Sequence, residues 1–350
     1  MLSIGVVAPL VAPLVDAQPY GNHVFLVDLA QGLERRGHAV VVYAASGSTV
    51  SGVHVEPVDV DADAQRRFLL LREHVASEAK AMQRSFERLF ARVRVARHDV
   101  VSQHAFDAPA ILGDASAPVL HTLHLPPMRD EVVAAARACS RALASVSHSC
   151  AQQWQAMVER TVIALPNGVP DLAIASASVE DFALMVGRIS REKGIATGLR
   201  AARRANLAPV VIGEIYDEAY YRGDVLPELR GTTLQPSMPR AAVRALMARA
   251  AVTLMPVEWD EPFGLVAAEA QLAGCPIVGY RRGALPEIVA QGRGGILVAP
   301  GDEDALVDAI AAARTLNREA IRNQAIERFG MDACVDRYER VLLELADRAQ

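Results

Sequence analysis

The chain has no apolar run approaching the roughly 20 residues that a membrane span requires. Cysteines are scarce and scattered. The four stand at 139, 150, 275 and 334, too far apart in sequence for a zinc or redox pair, so reduced thiols in a cytoplasmic protein are expected. No large excess of one charge exists either: the formal net charge is −5 over 350 residues, which gives no footprint for nucleic acid. The first 15 residues are apolar, but they lack a basic leader and are interrupted by Pro9 and Pro13. They read as a buried strand and a loop rather than a secretory signal. No Gly-x-Gly-x-x-Gly follows this first apolar run, which argues against a dinucleotide-dependent oxidoreductase.

What is present is an ordinary globular composition, 51% apolar and 22% charged, on a chain long enough for two domains. Short Val- and Ile-rich runs recur at residues 4–8, 39–43, 100–102, 119–122, 144–147 and 162–165. They resume at 183–186, 210–212, 252–255, 276–278 and 295–298. Runs of this kind, without polar alternation, predict strands covered on both faces. Helical spacing over 23–36, 195–206, 241–250 and 304–314 falls between them, so parallel, doubly wound sheets are expected. Pro166-Asn167-Gly168-Val169-Pro170 can continue neither helix nor strand; with the small-residue stretch 173–178 it divides the chain. The expected domains are 1–168 and 169–330, with an amphipathic helix in 331–350 packing back on the N-terminal domain. Residues 65–97 predict a long basic helix, nine Lys or Arg against three Glu. Its two readings are a solvated charged face and a peripheral contact with an anionic membrane or acceptor.

The chemistry concentrates in the C-terminal half. The run 252–255 ends at Pro256 and a helix opens near Gly264, so the N–H groups of Phe263, Gly264 and Leu265 are suited to hold a phosphate. Gly264 permits close backbone approach. Glu269, one to two turns into the helix, is placed to accept two ribose hydroxyls, and Glu261, in the loop at the mouth, is free to accept sugar hydroxyls. Upstream, Arg188 at a strand end and Lys193 at the next helix start supply two cations for a departing diphosphate.

Glu261-Pro262-Phe263-Gly264-Leu265 with Glu269 forms a Glu-x7-Glu pattern, followed by Ala273-Gly274-Cys275-Pro276 and Arg282-Gly283-Ala284-Leu285-Pro286-Glu287. Gly187-Arg188 with Lys193-Gly194, the turn at Gly213-Glu214, Asn167-Gly168-Val169, Arg36-Gly37-His38 and Tyr20-Gly21-Asn22 accompany it. On these residues the chain resembles, over nearly its whole length, the retaining GT-B glycosyltransferases of family 4. The resemblance implies an α/β GT-B fold: two Rossmann-like doubly wound domains facing across a cleft, the first for an acceptor and the second for an NDP-sugar. It implies a hexosyltransferase-type reaction that moves the sugar to an acceptor hydroxyl with retention and requires no metal or other cofactor. Arg188 and Lys193 would meet the diphosphate, Glu261 the sugar, Glu269 the ribose, and Gly21 the donor phosphate or the acceptor. The family places a histidine at the strand end near 121–124, beside the transferred sugar, and His124 matches it better than His121. Ser147 matches a family turn, with a capping role equally open. The chain departs from the pattern at Gly21-Asn22, where Gly-Gly is usual, and at Gln235-Pro236-Ser237, where a glycine is usual near the base. A sugar-nucleotide epimerase on the same architecture is the alternative. Donor sugar, base and acceptor are not legible.

Overall fold

The structure, a computed structural model, describes residues 1–16, 21–61, 76–172, 178–232 and 234–348. It divides into two compact units, Met1–Gly168 with Met331–Gln350, and Val169–Gly330. The linker stretch 173–177 and the first part of the basic segment, 65–75, lie outside the described residues. Among the described residues no helix is long and apolar enough to cross a membrane.

The first unit carries a parallel sheet of β1 (Ser3–Val7), β2 (Ala39–Ala45), β3 (His54–Val58), β4 (Val100–Gln103), β5 (Val119–Leu123), β6 (Ala142–Ser145) and β7 (Ile163–Ala164). Their order is β3-β2-β1-β4-β5-β6-β7. The longer helices of this unit begin with α1 (Gly21–Arg35), α2 (Ala76–Ala96), α3 (Asp130–Ala138) and α4 (His148–Val158). Successive β1 side chains serve opposite cores, which is why the run is apolar throughout. Ile4 and Val6 pack with Phe25, Leu29 and Leu33 of α1. Val7 packs with Phe86, Leu89 and Phe90 of α2 on the other face.

The second unit repeats the plan with β8 (Glu180–Val186), β9 (Ala208–Ile212), β10 (Leu234–Gln235), β11 (Ala250–Met255), β12 (Ile277–Tyr280) and β13 (Gly295–Val298). All pairs are parallel in the order β10-β9-β8-β11-β12-β13. Its longer helices are α5 (Ile195–Arg204), α6 (Arg240–Arg249), α7 (Leu265–Leu272), α8 (Glu303–Ala313) and α9 (Arg318–Phe329). The final helix, α10 (Met331–Asp347), belongs to the first unit. There Val335, Tyr338 and Leu342 complete the core beside α1.

Two strands lie outside the sequence expectation, and both are sheet edges: β3 and β10. β3 contains Pro57, and Pro236 follows β10 at once. Proline lacks the N–H that a central ladder needs, so it settles on edges, where it also interrupts the apolar run that marks a strand. In both sheets the order reverses between the first strand and the fourth to enter, at β1/β4 and at β8/β11. Ligands of open parallel sheets bind outside the carboxyl ends of strands at such switch points. In the second unit the two loops concerned are 187–194 and 256–264.

Candidate active site

The loop after β8 is held tightly against the end of β11. Gly194 stands at φ 65°, and a Cβ there would lie 2.0 Å from the Pro256 carbonyl oxygen. Only glycine allows both the left-handed turn and this approach. The Glu258 amide donates to the Glu192 carbonyl at 2.9 Å, tying the two loops together once more. Arg188 follows β8 by two residues, and its guanidinium lies 4.6 Å from the centre of the Tyr216 ring. It also donates to Glu192 Oε1 at 3.2 Å, and Ser190 Oγ donates to the same oxygen at 2.6 Å. Lys193 closes a single 3₁₀ turn, Arg191–Lys193, rather than opening α5, for which Gly194 is the N-cap.

Lys193 reaches the other loop. Its Nζ donates to Glu261 Oε2 at 2.7 Å, and Trp259 Nε1 donates to that same oxygen at 2.8 Å. The ammonium sits 5.1 Å from the centre of the Trp259 ring, within cation–π range. Glu261 is 8% exposed. Its backbone is fixed by the following loop: Ala284 N donates to the Glu261 carbonyl at 2.8 Å. A Cβ on Gly283 would lie 2.3 Å from the Glu261 nitrogen, which is why glycine precedes Ala284.

Phe263 is buried against Phe329, edge to face at 6.0 Å, so its side chain anchors the start of α7. Gly264 is the N-cap at φ 89°, and no side chain caps the helix; Leu265 is its first residue. An uncapped helix start of this kind attracts anions. Glu269 faces α6: Arg240 Nε donates to its Oε1 at 2.7 Å. Arg244 donates to the Glu269 carbonyl at 2.8 Å and to the Pro170 carbonyl at 2.7 Å. Burial lowers the Arg244 guanidinium to about 10.

Besides the place of Lys193, the structure corrects a second expectation. Glu261 is not free at the mouth of the site, because one of its oxygens already accepts from Lys193 and Trp259. The charges the sequence singled out are all paired, Arg188 with Glu192, Lys193 with Glu261 and Glu269 with Arg240. Four contributors were missed: Trp259, Glu192, Tyr216 and Arg240. An indole two residues before the glutamate was the one available signal for the first.

In the first unit, His124 lies just beyond β5 and is buried. Its Nε2 hydrogen-bonds His104 Nδ1 at 2.9 Å, and His104 Nε2 meets Ser102 Oγ at 2.8 Å. Phe25 and Tyr338 pack beside these rings. Burial first, and His23 second, pushes His124 down to about 3, so it is a neutral imidazole near pH 7. His104, which sequence reasoning missed, is likewise lowered well below the usual value by burial and by its histidine neighbours. His121 occupies β5, two residues before the strand's last, Leu123. It is buried, neither ring nitrogen has a hydrogen-bond partner, and burial with Arg141 and Arg160 lowers it to about 3. Gly21 is the first residue of α1, while Tyr20 lies outside the described residues. Ser147 caps α4 by accepting from Cys150 N at 3.0 Å.

The described part of the basic segment, in α2, is engaged by its own unit. Arg84 and Arg88 both hold Asp61 at 2.7 Å, and Arg92 holds Glu56 at 3.0 Å. Asp59-Val60-Asp61 has the Asp-x-Asp spacing that would suit a metal-held diphosphate. Here Asp59 accepts from Ser46 at 2.7 Å and Asp61 serves the arginines. Among the described residues no group of three His, Cys, Asp or Glu is placed to hold a metal ion.

Residues 173–328 match the family model described as glycosyl transferases group 1, and residues 21–171 the one described as Glycosyltransferase Family 4. The chain belongs to this family. The family 4 chain is 34% identical over 131 residues to a D-inositol 3-phosphate glycosyltransferase of Thermobifida fusca, across 33% of the chain and 30% of that relative. It spans less than half the length of the curated relatives it first matches. Its fold is that of the GT-B enzymes. A sucrose-phosphate synthase from Thermosynechococcus elongatus aligns with TM-score 0.80 at 17% identity, over 99% of each chain. The Anabaena protein HepE in complex with UDP and glucose aligns with TM-score 0.76 at 17% identity, over 99% of this chain and 100% of that one.

Proposed function

We propose that this family 4 chain transfers a glycosyl unit from a nucleoside diphosphate sugar to an acceptor hydroxyl, with retention and without a metal. The single observation that supports it most is the meeting of Lys193, Trp259 and Glu261 at the β8/β11 switch point, beside the uncapped start of α7. Two cations and a helix N-terminus form a receptacle for a diphosphate, and carboxylates beside it suit hydroxyls. The UDP and glucose of HepE are the donor components of this reading.

On this reading the Lys193–Glu261 and Arg188–Glu192 pairings give way to the donor. A diphosphate draws Lys193 away from Glu261, which releases Glu261 Oε2 for a hydroxyl of the sugar. Arg188 makes the same exchange from Glu192 while Tyr216 keeps its guanidinium in plane. Glu269 takes the ribose hydroxyls, and the N–H groups of Phe263, Gly264 and Leu265 face the phosphates. The bond from the anomeric carbon to the phosphate oxygen breaks, and the cations and amides stabilise the charge on the departing diphosphate. The acceptor oxygen bonds to the anomeric carbon on the same face, and its proton passes to the diphosphate. His124, neutral, serves by hydrogen bonding rather than as an acid. Gly21 leaves room for backbone approach to the donor phosphate or the acceptor. The first unit binds the acceptor and the second the donor.

A melting screen over UDP-, GDP-, ADP- and dTDP-sugars tests the donor, because a ligand that binds only the folded chain raises its stability by mass action. One base should stabilise, and free nucleoside diphosphate should appear when acceptor is added. In Arg188→Ala, Lys193→Ala the shift should vanish and turnover fall by about 100-fold or more, while the chain stays folded. Undiminished turnover in that variant would sink the assignment. An isomerised sugar nucleotide formed without any acceptor would replace transfer by epimerisation.

A further inference from the structure

We propose that the cavity beside His124 in the first unit is an acceptor site for a compact apolar group, the edge of an aryl ring or a short branched alkyl, attached next to the hydroxyl that is glycosylated. The inference rests on the glycosyl-transfer reading and adds the chemical class of the acceptor to it.

The cavity encloses ≈ 90 Å³. Its walls are Phe106, Leu123, Pro126, Met128, Val132 and Trp154, and all of these side chains are apolar apart from the indole N–H. That N–H is already committed, donating to the Leu125 carbonyl at 2.7 Å. Cys150 Sγ points to the same carbonyl at 3.7 Å, so that backbone acceptor is already engaged. Two polar side chains remain on the lining, His124 and Arg129. His124 spends Nε2 on His104, which leaves Nδ1 as the ring nitrogen for a ligand. Arg129 is paired with Glu131 at the edge.

A sugar acceptor would bury several hydroxyls here against only two polar side chains, His124 and Arg129, and each unpaired hydroxyl opposes binding. An apolar group meets no such penalty, and one hydroxyl beside it finds the single imidazole nitrogen. Size narrows the class further. A closed cavity of about 150 Å³ holds one benzene. A space of ≈ 90 Å³ therefore takes a branch of a few carbons or part of an aryl ring, with the rest of the acceptor outside. Met128, 54% exposed, stands at the mouth.

Saturation-transfer NMR on the full chain tests this with benzyl alcohol, isoamyl alcohol and methyl α-glucopyranoside as probes. Both alcohols should bind saturably and the glucoside should not. Met128→Lys, which sets an ammonium at an exposed position over the mouth, should weaken the alcohols at least tenfold. Val132→Phe, which fills the space from α3, should do the same. Glucoside binding without alcohol binding overturns the proposal, as do alcohols that bind equally to the wild type and Met128→Lys. Melting with the stabilising nucleotide sugar is followed on the same samples. Loss of alcohol binding with that stabilisation intact removes only the acceptor class. Absence of any nucleotide-sugar stabilisation removes the transfer reading itself.

Discussion

Lys193 and Trp259 share one oxygen of Glu261, and the indole also lies under the ammonium. Trp259 is thus a positioning residue that orients a cation and a carboxylate at once. In Trp259→Phe the ring contact survives and the N–H donor is lost. A hydrogen bond to a charged group is worth roughly 1.5–3 kcal/mol, so kcat/KM for the donor should fall by about tenfold or more. The KM-against-kcat split reads the cause. If Trp259 acts by holding Glu261 for the sugar, the loss falls on kcat, and an unchanged kcat would show that the indole serves packing alone.

Elements set these residues at one point. β8 and β11 are neighbours only because the second sheet reverses its order there, and Gly194 lets the first loop lie against the second. Gly194→Ala forces a Cβ into the Pro256 carbonyl at a backbone angle that L residues avoid. Its stability loss should exceed about 1 kcal/mol, read from urea unfolding, and nucleotide-sugar stabilisation should weaken with it. An alanine variant that bound donor normally would mean that the loops are not held by this contact. The same scale explains what was legible. The central strands and α1, α5 and α7 announced themselves by local apolar pattern, whereas β3 and β10 did not, because Pro57 and Pro236 break that pattern at the sheet edges.

At the scale of the whole molecule, the buried histidines of the first unit govern its response to acid. Burial lowers His23 to about 4 and His121 and His124 to about 3, and takes His104 well below its ordinary value. Unfolded histidines take up protons near pH 6.5 and these folded ones do not, so the unfolded state binds more protons between about 6.5 and the lowered values. Stability is full above pH 6.5 and is lost as pH falls through that window. By pH 5 each such histidine withdraws up to about 2 kcal/mol. Melting between pH 7.5 and 5 should show the first unit unfolding first. His121 makes no hydrogen bond, so His121→Leu should flatten that dependence by about one histidine's share. An unchanged slope would show that His121 titrates alike folded and unfolded.

Within its own sequence the chain carried the alternation that makes two doubly wound sheets, the turn at Pro166–Pro170 and the order of Arg188, Lys193, Glu261 and Glu269. All of these are local patterns, readable because neighbours in sequence share one strand, one turn or one helix face. Tertiary structure alone decided who pairs with whom. Lys193 and Glu261 are 68 positions apart, His104 and His124 are 20, and Tyr338 reaches Thr122 across 216. No periodicity encodes such meetings. They follow from strand order, and from the low polarity of the interior, where a charge or an imidazole must find a partner or lose its proton.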